Sequence, residues 1–277
     1  MRKLLSAGFM RLWKSRIFWL VLAGCVLIPL TVVFTEYQHY RVTTYTVHPE
    51  DAMFNIIPIM IFVCPVLISL FQGTEYSDGT VRNKLICGHM RRDILFSGLI
   101  VCSAASVLML LVCYGVTFLA TCLYSPEIQM TGGHIVYYIF CSAMVTMALS
   151  AICMLVTVFL QKKAAAAVGS VILIVLLLFG SSYLDSLLRE PETNYGAMVM
   201  HEDGKFEFVG EEPNPLYISG VQRDIIELAF DITPTGQSIQ INNQDFARSA
   251  RWPLLSLAVT VAVSVVGLIV FKKKDIQ

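Results

Sequence analysis

Ala164-Ala-Ala-Ala-Val168-Gly-Ser-Val-Ile-Leu-Ile174-Val-Leu-Leu-Leu-Phe179-Gly-Ser-Ser-Tyr-Leu184 contains no charged side chain, and it is bounded by Lys162-Lys163 on one side and Asp185 on the other. As an α-helix this stretch would be about 30 Å long, which matches the hydrocarbon thickness of a bilayer. A soluble helix of that length keeps a charged face toward water. Five more charge-free stretches follow the same rule: Ile17–Thr35, Ala52–Thr74, Ile94–Pro126, Ile128–Gln161 and Trp252–Phe271. Across the 277 residues only 14% are charged, against about a quarter in soluble domains. The expectation is an all-α membrane protein, one domain over 1–277, with six transmembrane helices at 17–35, 52–74, 94–123, 134–160, 164–184 and 252–271. Ser125-Pro126 and Gly132-Gly133 mark a short loop between the third and fourth.

The charges between the spans set an orientation. Segments 1–16, 75–93, 162–163 and 272–277 together hold 14 basic and 4 acidic residues. Segments 36–51, Glu127 and 185–251 hold 6 basic and 16 acidic residues. The two sets alternate along the chain. Lys and Arg are retained on the cytoplasmic side, so both termini are expected in the cytoplasm and 185–251 outside. The expected location is a bacterial inner (cytoplasmic) membrane, as a multi-pass protein. Leu22-Ala23-Gly24-Cys25 resembles a lipoprotein cleavage box, but the apolar run continues through Val26–Leu30, where a cleaved signal would give way to polar sequence. Seven of the eight cysteines lie in apolar stretches and none in 185–251. They read as small buried hydrophobes, not as a disulfide framework.

Residues 1–16 read as an N-terminal amphipathic helix in the membrane interface. Leu4, Leu5, Phe9, Leu12 and Trp13 share one face, and Arg2, Lys3, Arg11 and Lys14 lie largely opposite. The 185–251 segment is too long for a plain connection and is expected to be a structured extracytoplasmic segment between the fifth and sixth spans. Asp203-Gly204 between Val199–Glu202 and Lys205–Val209 is a hairpin signal. After Pro213 and Pro215, Ile218, Val221, Ile225, Leu228 and Ala229 share a helical face, which Pro234 is expected to close. Within the membrane, Ser142, Thr146 and Ser150 form a stripe on the fourth span, and Ala165/Gly169 and Ala166/Ser170 pair on the fifth. Small residues allow close helix approach. The stripe is read as helix packing or a pathway lining, with packing the simpler account.

The segment richest in information runs from Gly73 to Ile94. Ser77 or Asp78 can cap a helix starting near Thr80, Val81 and Leu85 share a face, and Gly88 can end it. The pattern Glu75…Gly79-Thr80-Val81-Arg82-Asn83…Leu85…Gly88…Arg91…Ile94 resembles the cytoplasmic motif of ABC-2 type permeases. Met90 departs from it where many relatives carry Ser. The basic leader, the six spans, the large segment before the last span, Pro234-Thr235-Gly236-Gln237 and the Phe271-Lys-Lys-Lys-Asp275-Ile276 end are similar to that family as well. The resemblance implies a pathway built from two permease protomers, as homodimer or heterodimer, over two ABC ATPase chains. Segment 75–93 would then be the coupling loop, with Glu75, Asp78, Gly79, Thr80, Arg82, Asn83, Gly88 and Arg91 as its site residues.

No phosphate-cradling G-x-x-x-x-G-K-[ST] occurs, so ATP and Mg are expected on the partner ATPase and no cofactor on this chain. The five histidines are scattered, and Cys87-x-His89 is too little for a metal. No catalytic constellation is present, and the basic segments follow topology, not nucleic acid. A secondary transporter would keep ionisable groups inside its spans, and these spans carry none beyond His134 at an edge. A non-transporting assembly or sensory protein would leave the Gly79–Arg92 motif without a role. Charge-free spans suit an apolar or amphipathic cargo such as a peptide antibiotic, a lipid or a drug.

Overall fold

The computed structural model describes residues 1–43, 47–194, 198–200, 206–208 and 212–273. The helices are α1 (Arg2–Lys14), α2 (Arg16–Thr43), α3 (Pro49–Phe54), α4 (Ile57–Ser77), α5 (Thr80–Ile86), α6 (Arg91–Cys122), α7 (Gly132–Leu160), α8 (Lys163–Arg189), α9 (Val221–Ile232), α10 (Pro234–Asn242) and α11 (Trp252–Lys273). Among the described residues, six elements are long and apolar enough to cross a membrane: α2, α3 with α4, α6, α7, α8, and α11 with the 3-10 turn before it. Several helices run past the charge-defined bounds, because an absence of charge marks the hydrocarbon zone whereas a helix ends only at its caps. The Glu36–Thr43 stretch thus continues α2. Gly132 and Gly133, read as loop, open α7 instead. The second span is interrupted at Asn55–Ile56, where Pro58 in the first turn of α4 has no N–H to carry the helix through.

The bundle has an inner and an outer set. Helices α4, α6 and α7 are more than half buried, whereas only about a fifth of α2, α8 and α11 is buried. Exposed leucine, isoleucine and phenylalanine on the outer set, such as Leu20, Leu27, Leu176, Phe179 and Leu254, meet lipid at no cost. Ser142, Thr146 and Ser150 are all fully buried. Each hydroxyl bonds the carbonyl four residues back, at 2.6–2.8 Å, and Ser142 also accepts from Tyr114 Oη at 2.8 Å. Within one chain, then, the stripe packs helices. All eight cysteines are free, and Cys25 is fully buried in mid-helix.

Two features mark the ends. First, one base of α1 turns toward the bundle. Leu4 and Leu12 are buried against it, Phe9 and Trp13 are exposed, and Arg11 points inward to an ion pair. Second, the apolar face shared within 218–229 lies at the surface. Ile218 lies before the helix, Val221, Ile225 and Leu228 are exposed, and α9 buries Phe230 and Asp231. Pro234 opens a further helix. Thr233 accepts from Gly236 N–H at 3.2 Å and Pro234 takes the first helical position, where its missing N–H costs nothing.

Helix α10 wedges between α4, α7 and α8 and is largely buried. Thr235 reaches Ser181 Oγ at 2.7 Å and Leu177 O at 3.2 Å. Gln237 donates to Asp231 O and accepts from Ser256 Oγ, both at 2.6 Å. A Cβ at Gly236 would sit 2.2 Å from Phe230 O, so only glycine lets the two helices meet. Strands Met198–Met200 and Phe206–Phe208 pair antiparallel, and Thr193–Asn194 pairs with Glu212–Pro213. The Asp203-Gly204 turn lies outside the described residues, as does the chain beyond Lys273.

Candidate functional site

The 75–93 connection forms a compact turn. Asp78 N–H bonds Thr74 O at 2.9 Å and ends α4. Gly79 then takes φ +68° and Gly88 φ +83°, a left-handed conformation that costs other residues about 1–2 kcal/mol. A Cβ would meet nothing at either position, so the requirement is backbone conformation and not space. Between them lies α5. Neither Ser77 nor Asp78 caps it, since Gly79 holds the N-cap position with no side-chain bond. The Ser77 hydroxyl instead accepts the N–H of Lys163 at 3.0 Å, tying the start of α8 to the end of α4.

Glu75 is the centre of the site. Its side chain is 5% exposed and accepts from Arg11 of α1, from Lys84 of α5 and from Gln72 Nε2 at 2.7 Å. Arg11 also lies over the Phe71 ring, 4.1 Å from its centroid. Burial pushes the Arg11 guanidinium below its ordinary value, and the Glu75 charge opposes that shift. Arginine remains a cation throughout the working range, so Glu75 is bracketed by fixed positive charge. One carboxylate of α4 therefore holds both the neighbouring α5 and the distant α1.

Arg91 acts similarly on the other flank. Its guanidinium donates to Phe271 O at 2.6 Å and Lys272 O at 3.2 Å and lies over the Phe271 ring. A cation at open carbonyls stabilises a helix C-terminus, so Arg91 fastens the end of α11 to the start of α6. Tyr76 packs edge-on against the same Phe271 ring.

The outward face of the turn carries different residues. Val81 is buried, while Arg82, Asn83, Cys87 and Gly88 are exposed, with Ile86 at 75% and Met90 at 57%. Asp78 is exposed and Thr80 half-buried. The eight residues singled out from sequence therefore divide. Glu75 and Arg91 hold the turn to the bundle, Gly79 and Gly88 shape it, Arg82 and Asn83 face away from it, and Asp78 and the half-buried Thr80 stand at the rim. Sequence reasoning missed Arg11 and Lys84, the partners of Glu75, and the exposed Ile86 and Met90. An apolar residue on the solvent side of a basic loop was the available signal for Ile86.

Six elements long and apolar enough to cross a membrane, among the described residues, define a multi-pass membrane protein. The family model described as ABC-2 family transporter protein matches residues 4–181, and the chain belongs to that family. It is a membrane component of ABC transport, and the family implies an ABC ATPase partner. No curated protein matches the chain. The matched stretch contains α1–α7 and most of α8, hence the whole Glu75 site.

Proposed function

We propose that this chain is the permease subunit of an ATP-driven exporter in a bacterial cytoplasmic membrane, and that the α5 turn receives the motion of the ATPase. The observation that carries the reading is the division of labour at the turn. Glu75, Ser77 and Arg91 anchor it to α1, α8 and α11, while Arg82, Asn83, Ile86 and Met90 stand exposed. An interfacial basic loop that merely obeyed the charge rule would need neither the buried anchor nor the exposed isoleucine. Push on the exposed face is passed to several helices at once, because the buried Glu75, with Ser77 and Arg91, ties the turn to α1, α8 and α11.

In this reading the α5 end is cytoplasmic, as the excess of Lys and Arg there requires, and the α9–α10 end is extracytoplasmic. ATP and Mg are held by the ATPase. Two permease protomers complete the pathway, since six spans make half of it, and two-fold closure is the commonest symmetry. The exposed Phe9 and Trp13 of α1 dip into the membrane interface, while Arg11 holds the helix to the bundle. The cargo is apolar or amphipathic.

The test is affinity purification of a tagged chain from its own host, with the co-purifying chain identified by mass spectrometry as a P-loop ATPase and its hydrolysis measured. Arg82→Glu combined with Ile86→Asp should abolish co-purification while membrane insertion stays normal. Recovery of the ATPase at wild-type levels by this variant would overturn the assignment.

A further inference from the structure

The end of α1, the start of α2, the α4–α5 junction and the start of α8 enclose a pocket of about 320 Å³. Three cations line it, Arg11, Lys14 and Lys163, together with two carboxylates, Glu75 and Asp78. Ser15 and Thr80 add hydroxyls, and Ile17 and Phe71 form the apolar part of the wall. The carboxylates do not neutralise this lining. Glu75 already accepts from Arg11, from Lys84 and from Gln72 Nε2. Lys84 stands outside the lining, so the neighbourhood holds four cations against two carboxylates. Lys14 and Lys163 form no ion pair among the described residues.

The surroundings set the depth of the pocket in a bilayer. Lys14, Ser15 and Ile17 lie in the chain between Trp13 and Trp19, which are 61% and 45% exposed. The two indoles pack edge-on at 4.9 Å, and Trp19 Nε1 donates to Trp13 O at 2.9 Å. Exposed tryptophans gather at the level of the lipid headgroups. Leu20, next along α2, is exposed as well and begins the lipid-facing surface. An excess of positive charge at headgroup depth, beside a surface that meets acyl chains, complements an anion carried on an apolar tail.

We propose that this pocket binds the headgroup of a phospholipid of net negative charge, its phosphate between Lys14 at the end of α1 and Lys163 at the start of α8, and its chains beside Trp19 and Leu20. Lysine takes a phosphate as a point charge and asks no fixed geometry of it. A choline headgroup would bring its own trimethylammonium to a site already rich in cations. The inference needs the chain to span a membrane, and needs neither the ATPase nor a given orientation.

The test uses the full chain in detergent, titrated with dioleoylphosphatidylglycerol or dioleoylphosphatidylcholine and followed by native mass spectrometry. The two lipids share their chains and phosphate and differ in net charge. Wild type should retain the glycerol lipid about tenfold better, the worth of roughly two partly screened lysines at a membrane surface. Lys14→Gln combined with Lys163→Gln should bring the two lipids to parity, and it leaves the Glu75 anchor in place. Arg16→Gln combined with Lys162→Gln removes the same charge from neighbouring positions that do not line the pocket, and most of the preference should remain. Equal retention by wild type, a preference that survives Lys14→Gln/Lys163→Gln, or an equal loss in both double variants would overturn the assignment, the last by showing a diffuse surface charge. Inorganic phosphate, titrated in the same way, offers the anion without chains. Phosphate adducts with no retained lipid would make this a soluble-anion site and overturn the lipid assignment.

Discussion

Replacing Glu75 with alanine leaves the Arg11 and Lys84 cations facing each other with no counter-charge, and Gln72 Nε2 without its acceptor. Breaking a buried pair by removing one partner costs about 3–5 kcal/mol. The Arg11 side chain is 34% exposed and Lys84 22%, so water screens part of the repulsion and the expected cost falls to about 2–3 kcal/mol. Glu75→Gln keeps an acceptor oxygen but loses the charge, and about half of that loss is expected. The assay is reversible denaturant unfolding in micelles of the two variants, Arg11→Met and the Arg11→Met/Glu75→Ala pair. The coupling in this cycle should be about 1–2 kcal/mol, as for contacting residues in one network. Transport should be lost more steeply than stability, because α5 is then held by Val81 alone among its buried residues. A Glu75→Ala cost or a coupling below about 0.5 kcal/mol would refute the claim that this carboxylate binds α1 and α5 to the bundle.

Three more outcomes are expected. Cys87 is the exposed native cysteine, the others being buried or half-buried. A membrane-impermeant maleimide should spare it in intact cells, and label Ser219→Cys from outside; the reverse pattern would invert the topology. Gly236→Ala places a Cβ 2.2 Å from Phe230 O, so α10 must shift, at a cost of about 3 kcal/mol or more, seen as loss of monodisperse protein on size exclusion. Asp231 is raised above the ordinary carboxylate range by burial, with Arg248 opposing. A carboxyl raised on folding favours the folded state when protonated, so its contribution is present in acid and lost as pH rises through the folded value. Asp231→Asn keeps a partner for Gln240, Arg248 retains Glu227 at 3.1 Å, and stability at neutral pH should rise while its acid dependence flattens; an unchanged pH profile would count against this.

The sequence by itself determined the number of spans, their approximate limits and the alternation of basic and acidic segments. These follow from a solvent effect that acts residue by residue: a charge is excluded from hydrocarbon wherever it falls. The two glycines of the turn were legible for a similar local reason, since φ is a property of one residue. What the tertiary structure alone decided is which charged groups meet. Arg11 lies 64 positions from Glu75, and helical periodicity placed it on the polar face of α1 because periodicity sees only one helix. The same holds for Ser77, whose cap goes to Lys163 on another helix, and for Arg91, which reaches the carbonyls of α11. Helix α9 shows the limit most directly. Its apolar stripe was legible in the sequence, with no statement of what it packs on, and in the structure Phe230 and Asp231 are buried while Ile225 and Leu228 are exposed. In water an apolar stripe must find a protein partner, but beside a membrane that requirement lapses, and only the packing of α10 against α4, α7 and α8 fixes which side of α9 turns inward.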